Sequence, residues 1–102
     1  MTDERLTDQL AACVMGWKRG RDRYVKAGRG WIPSWRFRPL VVLADAFHLL
    51  DRAAHHYTLT RNGHTITVKV RTDSGQGIAS GEQMARTMTL AVARALGLEV
   101  DR

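Results

Sequence analysis

Ten side chains in one stretch carry most of the chemistry this sequence offers: Arg19, Arg21, Arg23, Tyr24, Lys26, Arg29, Trp31, Trp35, Arg36 and Arg38. Guanidinium groups grip phosphate or carboxylate oxygens through paired hydrogen bonds, and indole or phenol rings stack on other flat rings. A nucleotide presents both an anion and a ring. A small anionic, nucleotide-like ligand is therefore the leading expectation, with these ten as its ligand-binding residues. A DNA- or RNA-binding accessory protein using the same surface is the alternative, and an adaptor or inhibitor docking on an acidic host protein is a third. The competing structural role is packing, because aromatics beside a small sheet commonly fill core.

The charge distribution supports a contact surface. Between Lys18 and Arg38 lie eight cations and a single acid, Asp22, whereas the rest of the chain is nearly neutral against a formal net charge of +6. A local excess of this kind suits an anion better than uniform basicity does.

Other constellations carry less. Cys13 is the only cysteine, which rules out an intramolecular disulfide and a cysteine-built zinc site; within an apolar helical pattern it is expected as a small buried hydrophobe. His48 and His55 would stand two turns apart on one helix, about 10 Å, too far to share an ion. With Asp45 and Arg52 they read as a polar edge. Gly75, Gly77 and Gly81 superficially suggest a dinucleotide fingerprint, but the following parallel strand and its ribose-binding acid are missing. Asp73, Ser74 and Glu82 have no histidine at a triad spacing. No catalytic residue, metal site or cofactor is assigned. The expected role is binding without catalysis, since an enzyme would need a site shared between subunits.

The elements that must position these groups follow from apolar spacing. The length of 102 residues and 44% hydrophobic content suit a single domain over 1–102. Its opening residues lead into no long apolar run, so neither a secretory signal nor a membrane span is expected and the protein should stay in the cytoplasm. Leu6, Leu10, Cys13, Val14 and Trp17 repeat at helical steps and predict a first helix from about Thr2 to Met15. From Trp17 to Arg38 no period survives, and the segment reads as a basic aromatic loop at about 18–38 with one short extended stretch near Trp31.

Pro39 suits the first turn of a second helix, followed by Leu40, Leu43, Phe47, Leu50 and Ala54 and ending near His55. Because Val41, Val42, Ala46 and Leu49 widen its apolar surface, this helix is expected to be covered on two sides, by the sheet and by another helix or subunit. Asn62-Gly63 between alternating segments predicts a β-hairpin with Leu59 opposite Ile66 and Tyr57 opposite Val68. After a Gly-rich connection over 72–81, Ser80 and Gln83 read as a capping box for a last helix carrying Met84, Met88, Ala91, Val92, Ala95 and Leu96, with Gly97 as its stop.

The fold class is thus α+β: a small antiparallel sheet, built on the hairpin, packed against three helices. A bare hairpin leaves open edges, so strands from the Trp31 or Ile78 regions, or a second subunit, must complete it; a homodimer or higher homo-oligomer is expected. Val14-Met15-Gly16-Trp17, Trp31 with Pro33, Ala44 to Leu50, and Ala93-Arg94-Ala95-Leu96, taken in this order of elements, resemble the phage ABA sandwich domain. The resemblance covers nearly the whole chain and departs from the family pattern at Arg36 to Val42 and in the arginine density of 19–29. It implies a phage or prophage accessory protein in the host cytoplasm and supplies no catalytic residues. Together with the charge cluster it leads to the expectation of a sponge that sequesters a nucleotide immune signal and so counters host antiviral defence.

Overall fold

The computed structural model describes residues 3–26 and 30–98. The chain forms helices α1 (Asp3–Leu10), α2 (Leu43–Ala53) and α3 (Met84–Ala95), and short strands β1 (Lys18–Arg19), β2 (Arg23–Val25) and β3 (Trp31–Pro33). Longer strands follow α2: β4 (His56–Asn62), β5 (Thr65–Thr72) and β6 (Gly75–Gly81). The strands make two antiparallel sheets, ordered β1-β2-β3 and β4-β5-β6. The α+β class holds, with two sheets in place of one.

The first helix changes pitch at Ala11, where a π-helical turn runs to Met15. Helical spacing alone puts Cys13 on the buried stripe, but the wider turn returns the chain to the core after five residues, so Leu10, Ala11 and Met15 are buried and Cys13 is exposed. Gly16 then takes a left-handed conformation with φ of 71° and ends the turn. The expectation of a buried thiol is corrected by this shift of phase.

The segment expected as a loop is instead the small sheet. Tyr24 stands opposite Arg19 on one side and Ile32 on the other, and Val25 stands opposite Lys18 and Trp31. Alternation along a strand sends Tyr24 inward and Arg23 and Val25 outward, matching an exposed–buried–exposed pattern. The strands are too short to show a period of two in the sequence. Their inner face is held by a triangle of rings, Trp17, Tyr24 and Phe37, with centroids 5.2–6.0 Å apart.

Pro39 lies ahead of α2, not in it. The amides of Val41 and Val42 both donate to the carbonyl of Arg38 in a separate turn, and the helix starts at Leu43. α2 packs on α3 and on the π-helical turn instead of on the sheet, and the helix that lies between another helix and the sheet is α3, which packs on α2, β5 and β6. Small residues explain this: Ala85, Ala91, Ala93 and Ala95 leave room for neighbours on opposite faces, and all four are buried. Val41, Val42, Leu43 and Phe47 remain exposed.

The predicted hairpin forms with its register moved by two. Asn62 pairs with Thr65, Leu59 with Val68 and Tyr57 with Val70, so Gly63 and His64 form the turn. Gly63 has φ of 67° and no described non-glycine residue has a positive φ. This fits a type II′ pattern with glycine first, rather than the type I′ turn Asn-Gly favours. A two-residue shift keeps every side chain on its expected face. Ile66, Val68 and Val70 point into the core, while Thr58, Thr60 and Thr67 face outward with no helix over them.

Residues 75–81, expected as a Gly-rich connection from which the Ile78 region could complete the sheet, are its third strand. Its inward positions are Gly75, Gly77, Ala79 and Gly81, and α3 lies directly on them. A Cβ at Gly77 would stand 2.3 Å from the Ala91 carbonyl oxygen, so only glycine permits this approach. Ser80 belongs to β6 and the capping box does not form. Gln83 is the N-cap, and its carbonyl accepts from the Thr87 hydroxyl at 2.7 Å.

Candidate functional site

The elements meet around a cleft of about 540 Å³ bounded by the start of α1, the inner face of the small sheet, the 34–41 segment and the start of α3. Arg19, Tyr24, Trp35 and Arg38 from the predicted set line it, joined by Asp3, Glu4, Gln83 and Arg86. Its volume falls in the range of small-ligand sites.

Each charged group there has a different commitment. Arg19 donates to Asp8 at 3.2 Å and approaches Glu4 at 3.6 Å, with its guanidinium 5.3 Å from the Tyr24 ring centre. The Tyr24 hydroxyl donates to the same Asp8 oxygen at 2.6 Å. Burial, reinforced by this bond to a carboxylate, pushes the Tyr24 phenol up to about 12, so it stays protonated and serves as a donor. Arg86 pairs with Asp3 at 2.9 Å. Arg38 differs: its backbone amide donates to Asp45 at 2.9 Å, but no ion pair among the described residues engages its guanidinium. Trp35, 68% exposed, stands at the same cleft with Arg36 5.9 Å from its ring centre. An uncommitted guanidinium and an open indole are the parts a ring-bearing anion requires.

The remaining predicted residues lie elsewhere. Arg23, Val25 and Trp31 occupy the outer side of the small sheet, where the Arg23 guanidinium lies 4.3 Å from the Trp31 ring centre and also pairs with Asp22 at 3.2 Å. Lys26 lies over Trp17 at 5.6 Å, and Arg21 is exposed. Arg29 is outside the described residues. Arg19, Tyr24, Trp35 and Arg38 thus line the cleft while Arg23 and Trp31 face outward, because alternation sends neighbouring side chains of β2 to opposite sides.

Arg86, Gln83, Asp3 and Glu4 were not legible as site residues. They come from distant parts of the chain and are brought together where the Arg86–Asp3 ion pair joins the start of α3 to the start of α1. His55, which reads as part of α2, lies past its end and hydrogen-bonds Asp73 in the β5–β6 turn. Among the described residues no group of three or more metal-ligating side chains converges. No described helix is long and apolar enough to cross a membrane.

No protein-family model matches the chain, and no curated protein sequence does. A solved structure does: the chain is similar to a phage protein from Bacillus cereus, with a TM-score of 0.76 at 14% identity over 99% of this chain and 93% of the other. The fold is shared with a phage protein over nearly its full length.

Proposed function

We propose that this protein is a non-enzymatic phage accessory protein that holds a small, nucleotide-like anion in the cleft between α1, the small sheet and α3. The observation that carries the proposal is that Arg38, whose guanidinium has no ion-pair partner among the described residues, lines the same cleft as the exposed indole of Trp35. Stacking on Trp35 would fix the ring, Arg38 would take the phosphate, and the Tyr24 phenol would remain neutral beside them. Likeness to a phage protein and the resemblance to the phage ABA sandwich domain support a setting in the host cytoplasm. Tight binding without turnover there would sequester a host nucleotide immune signal. The open edge of β4 supports self-association as a homodimer or larger homo-oligomer.

Calorimetric titration against linear and cyclic nucleotides tests this. Binding of one nucleotide is expected, weakened about ten-fold or more in Trp35→Ala and in Arg38→Ala, since a charge-assisted bond or a stacked base contributes about 1.5–3 kcal/mol. Equal affinity in both variants would overturn it.

The outer side of the small sheet supports a second reading, nucleic-acid binding, because Arg23 and Trp31 form an exposed stacked pair there. Its signature is affinity for oligonucleotides that falls steeply with salt and is lost in Trp31→Ala.

A further inference from the structure

The second large hollow adjoins the cleft at Gln83 and Arg86 and runs from there along the open edge that β6 forms beside α3. It encloses about 750 Å³ and is lined on one side by β6 and on the other by Arg86, Leu90 and Arg94. Arg94 donates to the Ile78 carbonyl at 2.7 Å, so that carbonyl points away from β5. Hydrogen-bonding direction alternates along an antiparallel strand, and Gln76, Ile78 and Ser80 therefore turn their main-chain groups to the unpaired edge. Such an edge is a template for another strand.

The helix supplies the specificity. Arg86, Leu90 and Arg94 follow one another at four-residue steps, about 6 Å apart along α3. Alternate residues of a strand are about 6.7 Å apart. A strand laid against β6 would place three successive same-side residues over Arg86, Leu90 and Arg94, which suits acid, apolar residue and acid. Among the described residues the one acid lining the groove, Glu82, lies at its end, past β6.

We propose that the β6 edge and this stripe of α3 form a docking groove for an extended peptide segment with the pattern acid-x-apolar-x-acid. The partner is another protein presenting such a segment. Its backbone continues the β4-β5-β6 sheet, its apolar side chain rests on Leu90, and its carboxylates meet Arg94 and Arg86, the latter in place of Asp3. On binding, the incoming strand's amide replaces Arg94 at the Ile78 carbonyl, freeing the guanidinium for the carboxylate. The pattern is symmetric, so it accommodates either strand direction.

Fluorescence anisotropy with a labelled peptide centred on Glu-Thr-Val-Thr-Glu tests the groove. Saturable binding is expected, weakened about ten-fold or more by Arg94→Glu, as loss of a charge-assisted bond implies. N-methylation of the backbone amide that reaches Ile78 should abolish it. A Lys-Thr-Val-Thr-Lys peptide should bind the Arg86→Glu/Arg94→Glu variant better than the wild type. If Arg94→Glu does not fold, amide shifts of Ile78 and Ser80 during titration of the wild type decide. Absence of saturable binding, or binding indifferent to Arg94→Glu and to N-methylation, overturns the proposal. So does a wild-type dimer that Arg94→Glu splits while the peptide fails to bind, because the groove would then belong to a second copy. Arg94 lies outside the cleft, so nucleotide binding by Arg94→Glu separates failure here from failure of the proposed function.

Discussion

The two sheets of this molecule are built on opposite principles. The large one is held by backbone proximity: α3 rests on the glycines and alanine of β6 so closely that a single methyl at Gly77 has no space. The small one is held by side chains, three rings on its inner face and a Tyr24–Asp8–Arg19 network at its margin. Proximity of main chains tolerates no variation, whereas ring packing confines only the inner face and leaves the outer residues free. The cleft and the Arg23–Trp31 pair both lie at the small sheet, where side chains can change without moving a strand.

Substitutions can break or sharpen the contrast. The largest effect is expected at Gly77→Ala, whose Cβ meets main-chain atoms of Ala91 and Ala95. Urea denaturation should show a loss of about 3 kcal/mol or more, because the obstacle is backbone that cannot rotate aside. A variant as stable as the wild type would remove the proximity principle.

Tyr24→Phe comes next, with about 1–3 kcal/mol lost at neutral pH along with the bond to Asp8. It also carries a pH signature. The Tyr24 phenol titrates near 10 in the unfolded chain and at about 12 in the folded one. Its stabilisation is fully present below pH 10 and declines as pH rises through about 12, since the folded state then holds the extra proton. The wild type should lose stability across that window relative to Tyr24→Phe, as followed by circular dichroism.

Thr89→Val should cost about 1–2 kcal/mol in thermal unfolding, by leaving the buried Pro39 carbonyl without the 2.7 Å bond it accepts. The smallest change, within about 0.5 kcal/mol, is expected for Trp31→Ala, which removes only an exposed ring and its contact with Arg23. If Trp31→Ala destabilised the protein as much as Gly77→Ala does, the outer face of the small sheet would be structural after all.

The contrast also explains what could be read from the sequence. The stripe of α3 and the β5 alternation are periodic, and both were legible, as was a stop at Gly97, which has φ of 78°. β6 showed only as one way of completing the hairpin sheet, through Ile78, because Gly75, Gly77 and Gly81 disfavour a strand locally and are required only by the helix above them. Strands of two and three residues leave no period, so β1 and β2 looked like loop and β3 showed only as a short extended stretch near Trp31. At the cleft, Arg19, Tyr24, Trp35 and Arg38 could be picked out because aromatic and basic residues concentrate there. Arg86 could not, since its role arises from contact with Asp3, distant in sequence. The hairpin register failed through turn chemistry: Asn-Gly ordinarily occupies both central positions, and here Gly63 takes the first with His64 beside it.

A π-helical turn amounts to an α-helix with one residue too many. The surplus between Ala11 and Met15 turns everything beyond it by about 100° relative to an uninterrupted helix. Trp17 follows at once, and its ring is the corner where Tyr24 and Phe37 meet. Deleting one residue here would therefore aim the indole to one side and unseat the small sheet, so that a single codon sets the direction in which that sheet faces.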